Sequence, residues 1–128
     1  MRVIEHGIDI VEIARIAEML AEHGERFIDR CFTDAEREYA QASDKRCTER
    51  YAVRFACKEA VLKALGTGWR SGISWRDIGV VLEPSGQPRL ELSGRCAEIA
   101  RELGITTWRV SLSHTDTMAI ASVIAVGE

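Results

Sequence analysis

Two acidic residues sit in apolar surroundings: Asp9 within the run Ile8-Asp9-Ile10-Val11, and Glu59 within the helix-patterned stretch from Arg54 to Gly68. An ionised carboxylate in such a setting is costly unless it is paired or coordinates a metal. Two of them, remote in sequence, suggest a divalent-cation site. Lys63 follows Glu59 by four residues, so a helix puts both on one face. Carboxylates, a divalent cation and a lysine are together the groups that handle phosphate. Taken singly, the same residues fit plainer roles. Asp9 also suits a turn cap, and Glu59 with Lys63 an ordinary i,i+4 surface pair. Pattern alone leaves both readings open.

Gly66-Thr67-Gly68 reads as a helix stop, or as backbone that comes close to a phosphate. It lacks the G-x-x-x-x-G-K-[ST] order, which sets aside an ordinary P-loop triphosphatase. His114 ends the run Val110-Ser111-Leu112-Ser113-His114 beside the turn Thr115-Asp116, a common edge for a pocket. His6 and His23 read as structural. No Ser-His-Asp or Cys-His spacing supports a nucleophilic device.

These residues must be positioned by a mixed set of elements. Residues 3–13 are rich in Ile and Val and predict a strand, with Gly7 permitting close backbone approach. From Ala14 the period becomes helical, with Ile13, Ile16, Ala17 and Leu20 as its apolar stripe and Gly24 as its stop. A short helix is expected from Arg26 to Phe32. Thr33-Asp34-Ala35-Glu36 has capping-box form and predicts another, ending near Ser43. Thr48 is the expected N-cap of a long helix that runs to about Leu65. On that helix Arg50, Arg54 and Lys58 form a basic stripe that reads as solvent-exposed, while Glu59 and Lys63 extend the packing line of Ala52 and Ala56. A hairpin follows, Ile78 to Glu83 and Arg89 to Leu92, then a helix from Arg95 to Leu103. Two strands close the chain, Thr107 to His114 and Met118 to Val126. The last is apolar on both faces, as expected of a strand covered on each side. The order predicts one compact α+β domain over residues 1–128, an antiparallel sheet packed against the long helix.

Composition excludes several classes. Hydrophobic residues are 46% and charged residues 29% of the 128, an ordinary globular balance. No apolar run approaches the roughly 20 residues that span a bilayer, and the N-terminus does not resemble a signal peptide. A cytoplasmic protein is expected. Cys31, Cys47, Cys57 and Cys96 lack zinc or redox spacing and read as reduced thiols. The net charge of −3 gives no reason to expect a nucleic-acid partner.

Three segments resemble the holo-acyl-carrier-protein synthases, the small bacterial 4′-phosphopantetheinyl transferases. They are Gly7-Ile-Asp-Ile-Val-Glu-Ile13, then Arg54-Phe-Ala-Cys-Lys-Glu-Ala-Val-Leu-Lys-Ala-Leu-Gly-Thr-Gly68, then Ser111-Leu-Ser-His114 with its Ala-rich strand. Cys57 stands where an alanine is usual, and Gly79 where a glutamate is common. The resemblance implies transfer of 4′-phosphopantetheine from coenzyme A to a serine of apo acyl carrier protein, in fatty acid biosynthesis. It implies that Asp9 and Glu59 hold Mg²⁺ against the pyrophosphate and that Lys63 neutralises phosphate charge. Arg54, Lys45 and His114 would contact the 3′-phosphate side, with Gly66, Thr67 and Gly68 near the coenzyme. The seryl proton would pass to Glu59 or to a water oriented by a carboxylate. A homotrimer with sites between protomers is implied. So is docking of the acidic carrier protein on the first helix, through Arg15, Met19, Arg26, Phe27 and Arg30. Two rivals remain: a module that binds coenzyme A or carrier protein without transfer, and another Mg²⁺-dependent phosphotransferase on the same scaffold.

Overall fold

Asp9 and Glu59 are carried by two elements that pack directly on one another. In the computed structural model, which describes residues 1–67 and 72–128, Asp9 lies on β1 (Arg2–Glu12) and Glu59 on α4 (Cys47–Leu65). Between them run α1 (Ile13–His23), α2 (Glu25–Cys31) and α3 (Asp34–Gln41). A 3₁₀ turn (Trp75–Asp77), the hairpin β2 (Ile78–Leu82) and β3 (Pro88–Leu92), α5 (Gly94–Glu102), β4 (Ile105–His114) and β5 (Met118–Gly127) complete the chain. The fold is α+β. Its main sheet has the antiparallel order β1-β5-β4, and β2–β3 form a separate antiparallel pair.

Small residues set how closely the sheet approaches α4. The inner face of β5 is Ala119, Ala121, Val123 and Ala125, all fully buried. Gly7 pairs with Val123 and Asp9 with Ala121 on the neighbouring strand. A Cβ on Gly7 would overlap the carbonyl of Ala60, the residue after Glu59. The bare backbone at Gly7 therefore lets β1 rest on α4, and Asp9, two residues on, faces the same side. Gly7→Ala is expected to cost about 1–3 kcal/mol as an overpacking change, because its clash is with backbone that cannot swing away. It should depress turnover further than that destabilisation explains. Denaturant unfolding and a transfer assay check the two parts.

Most of the predicted elements are present, and four expectations are corrected. The long helix begins at Cys47, not after Thr48. Arg46 is its N-cap without a side-chain bond, and Ser43 Oγ accepts from the Arg46 amide to wind the preceding turn straight into it. Ala17 is exposed, and α1 seals the core mainly through Ile16. Within this chain the last strand is covered on one face. Across its outer side Ile8, Ile10 and Ile124 are 53%, 56% and 36% exposed.

The fourth correction concerns the basic stripe of α4. Lys58 is fully buried and Arg54 is 5% exposed, whereas the Lys63 side chain is 56% exposed. The expected inside and outside are exchanged. The reason is that α4 is wrapped on nearly every side, so that all of Tyr51 to Lys58 is buried and no face is free to be polar by default. Lys58 survives there because its ammonium meets three acceptors: Glu36 Oε1 at 2.8 Å, Trp75 O at 3.2 Å and Ile78 O. Glu36 is fully used as well. Its Oε1 accepts from the Thr33 amide at 2.9 Å, completing the predicted capping box, and its Oε2 accepts from the Val80 amide at 2.7 Å.

Cys31, Cys57 and Cys96 are buried free thiols, pushed by that burial to about 11, 12 and 12. Thiols so disposed are inert, as the spacing suggested. Among the described residues no helix is long and apolar enough to cross a membrane.

Candidate active site

The junction of β1 and α4 brings together the three residues that the sequence singled out. Lys63 Nζ donates to Asp9 Oδ1 at 2.7 Å and to the Ile8 carbonyl at 3.0 Å. Lys63 thus pairs across to the strand, and the Asp9 side chain is only 10% exposed. Glu59 is half-buried beside it. Burial first, then a hydrogen bond to Asp9 and the Asp9 charge, push the Glu59 carboxyl up to about 7. Arg15 and Lys63 oppose that shift, which puts the Arg15 guanidinium within electrostatic reach of the pair.

Two carboxyls crowded together need a proton or a cation between them. Asp9 Oδ2 is buried and has no hydrogen-bond donor. Among the described residues no third His, Cys, Asp or Glu joins the pair to build a metal cage from protein ligands alone. That donor set suits Mg²⁺, which takes one or two carboxylates and completes its shell with water and substrate phosphate oxygens. The crowding also has a stability consequence. Glu59 binds its proton more tightly in the folded chain, so its contribution is fully present below the ordinary 4.5 and is lost as pH rises through about 7. In metal-free buffer, unfolding free energy should fall across that window, and in Glu59→Gln the fall should vanish. Denaturant titrations at several pH values check this.

The helix end beyond Lys63 is closed on itself. Gly66 is left-handed at φ 76°, its amide donates to Lys63 O at 3.0 Å, and the Thr67 amide donates to Leu62 O at 3.3 Å. Those two amides cap α4 rather than face outward, and this is the helix's C-terminal, electronegative end. The anion-facing group at this corner is therefore the Lys63 ammonium. Gly68 lies outside the described residues.

A second feature gathers two more of the residues expected at the coenzyme, Arg54 and His114. A cavity of about 540 Å³ opens beside β4, walled by the first turns of α4, the β2–β3 turn at Gly86–Pro88 and the run Val110 to His114. Arg54 and His114 both line it, joined by Arg46, Arg50, Glu49 and Tyr39. Arg50 and Arg54 stack on the Tyr39 ring at 4.0 and 4.3 Å from its centroid. Arg54 Nε is buried without a partner, and burial lowers the guanidinium's pKa. A buried, under-satisfied guanidinium facing a cavity calls for an anion. Lys45, exposed in the turn before α4, is not part of the wall. Sequence reasoning passed over Arg46 and Arg50 here. The i,i+4 spacing of Arg46, Arg50 and Arg54 carried that information, had the stripe been extended one turn back instead of forward to Lys58.

Residues 5–121 match the 4′-phosphopantetheinyl transferase superfamily. The chain belongs to that superfamily. It is similar to the holo-[acyl-carrier-protein] synthase of Koribacter versatilis (strain Ellin345), with 48% identity over 118 residues, 92% of this chain and 94% of the relative. The crystal structure of holo-[acyl-carrier-protein] synthase from Neisseria meningitidis superposes with a TM-score of 0.88 at 31% identity, covering 98% of this chain and 99% of that one. The Helicobacter pylori holo-[acyl-carrier-protein] synthase, solved in complex with coenzyme A, gives a TM-score of 0.82 at 33% identity over 94% of this chain and 99% of that one. Membership makes the chain an enzyme, a phosphopantetheinyl transferase, and the α+β fold expected from its motifs is the family's fold.

The residues expected to meet a carrier protein divide between two elements in this transferase. Arg15 and Met19 are on α1, but Arg26, Phe27 and Arg30 are on α2, so the expected docking residues are spread over the first two helices. Met19, Arg26, Phe27 and Arg30 line a cavity of about 350 Å³ with His23, Cys31, Phe55 and Trp75. Phe27 is a buried wall of that cavity and is not an exposed contact. Arg15 stands apart in a groove with Glu12, Glu18 and Met118.

Proposed function

We propose that this chain transfers 4′-phosphopantetheine from coenzyme A to a serine hydroxyl of apo acyl carrier protein, in a Mg²⁺-dependent reaction serving fatty acid synthesis in the cytoplasm. The observation that carries it is the Asp9–Glu59 pair, two crowded carboxyls with a donor-less buried oxygen, beside the Lys63 ammonium. Asp9 and Glu59 would hold the ion. Mg²⁺ bound there would supply Lewis-acid neutralisation of the diphosphate. Lys63 adds a fixed positive charge for the same oxygens, and Glu59 is the carboxylate at hand for the seryl proton. The bond formed joins the seryl oxygen to the β-phosphorus. The bond broken is that phosphorus to its bridging oxygen, and the electron pair leaves on adenosine 3′,5′-bisphosphate.

The arginine-lined cavity fits the 3′-phosphate end of the coenzyme, with Arg54 and His114 as contacts and Lys45 at its approach. Arg54 and Glu59 are five residues apart on α4, so their side chains diverge by about 140° around the helix. One chain thus presents the cavity and the carboxylate pair on different faces, which favours a site shared between protomers. The open apolar face of Ile8, Ile10 and Ile124 supports the same reading, a homotrimer. The α1–α2 cavity, apolar inside and rimmed by Arg26 and Arg30, suits an acidic helical carrier protein.

Mass spectrometry of apo carrier protein, incubated with coenzyme A with and without Mg²⁺, tests the proposal. A gain of about 340 Da that requires the cation is expected, the mass of the transferred phosphopantetheine. No gain would leave a non-catalytic binder. Transfer from a nucleoside triphosphate in place of coenzyme A would mark a different phosphotransferase.

A further inference from the structure

The cavity beside β4 contains one carboxylate among its described lining residues, and that carboxylate already occupies the anion-binding groups. Glu49 Oε1 lies 3.4 Å from Arg46 Nη1 and 3.1 Å from His114 Nε2, joining the α4 wall to the end of β4. The other two guanidiniums are held elsewhere. Arg50 donates to Tyr39 O at 2.7 Å, and both Arg50 and Arg54 lie over the Tyr39 ring. An anion that recruits Arg46 or His114 must take them from Glu49, whereas Arg54, with its Nε unpartnered, needs no such exchange.

A cavity shaped only for tight phosphate binding would not carry an acid in its wall. Removing that acid would strengthen the field felt by any phosphate, because three arginines would then face it unopposed. The acid also offers Arg46 and His114 a partner when the nucleotide departs, so neither group is left unpaired during release. We infer that Glu49 is an internal counter-anion, which competes with the coenzyme's nucleotide end for Arg46 and His114 and so speeds release of the spent bisphosphate. The inference rests on the reading that this cavity takes the 3′-phosphate. In multistep enzymes product release often limits turnover, and an acid that weakens nucleotide binding then raises kcat.

A plainer role is available, since an acid in the first turn of α4 also favours the helix dipole. That role predicts a change in stability and no preference among ligands, so the two can be separated. The test uses full-length protein in its native assembly and compares coenzyme A with 3′-dephospho-coenzyme A, and adenosine 3′,5′-bisphosphate with adenosine 5′-monophosphate. In Glu49→Gln, KM for coenzyme A and Ki for the bisphosphate should fall roughly tenfold, the scale of one partly screened charge interaction. The 3′-dephospho ligands should change by less than about twofold, because Glu49 competes only for the 3′-phosphate groups. Turnover with coenzyme A should fall, and Glu49→Asp, which keeps the charge, should restore the wild-type Ki. An unchanged or raised Ki in Glu49→Gln overturns the inference, as does an equal change for ligands with and without the 3′-phosphate. Arg46→Ala separates this failure from that of the cavity reading. If it weakens coenzyme A selectively while Glu49→Gln does not tighten it, the cavity stands and the competitor role falls. If Arg46→Ala affects neither coenzyme, the nucleotide is not bound here and both fall.

Discussion

Asp9→Asn and Glu59→Gln are each expected to lower phosphopantetheine transfer by at least about 10³-fold while leaving the protein folded, the scale seen when preorganised charge at a reacting centre is removed. The two residues reach one point from segments fifty residues apart, Asp9 from β1 and Glu59 from the fourth turn of α4. Neither belongs to the hydrophobic core. Their removal therefore spares the packing of Gly7 on Ala60 and of β5 on the helix. Glu59→Gln should even melt later than wild type above about pH 7, because it eliminates the half-buried charge, whose desolvation and then its closeness to Asp9 push the Glu59 carboxyl up. A variant that is more stable and inactive is the signature of strain held for chemistry. Carrier-protein mass gain at saturating Mg²⁺ reads the first effect, and thermal melting across pH reads the second. Near-normal turnover in either variant would exclude the pair from the reaction.

Lys58→Ala should produce the largest loss of stability in the chain, about 3–5 kcal/mol, because it leaves the fully buried Glu36 carboxylate without its cation. It also strands the carbonyls of Trp75 and Ile78. Burial lowers the Lys58 pKa, and the Glu36 charge works against that shift, so the ammonium is held by its partner. Glu36→Ala should be comparably severe, since it strips the same ion pair, the Thr33 cap and the Val80 amide bond at once. The double variant Lys58→Met with Glu36→Gln should recover much of the loss. It removes both charges together and keeps one acceptor, the glutamine carbonyl oxygen, for the Thr33 or the Val80 amide. Denaturant midpoints of the two single variants and the double variant form the cycle. If the single losses simply add, the pair is not coupled and the buried bridge does not hold α4 to the hairpin. The immediate neighbour of Lys58 on α4 is Glu59, so this anchor also bears on where that candidate carboxylate sits.

The elements were readable because each is specified locally. The Thr33-to-Glu36 capping box, the left-handed glycines Gly24, Gly66 and Gly104, and the alternation of β3 after the Gly86 turn all depend on a few neighbouring residues. Side-chain environment on α4 was not readable. An Arg50-Arg54-Lys58 repeat has the same spacing whether it faces water or the interior. Only Glu36, more than twenty residues upstream, and two backbone carbonyls downstream make the interior tolerable for Lys58. The outer face of β5 failed for the complementary reason. Its apolar residues do call for cover, but nothing in their alternation says whether that cover comes from the same chain.

The sequence by itself determined the family and singled out the candidate reacting groups: carboxylates in apolar runs, a lysine four residues on, and a long specific motif around them. Tertiary structure alone decided that Asp9 and Glu59 crowd each other while Lys63 turns to the strand, and that Glu49 sits among the arginines. The physical reason is range. Helix and strand formation is settled by neighbours a turn away, whereas the protonation and pairing of a charge depend on whatever distant segment folding brings within a few ångströms of it.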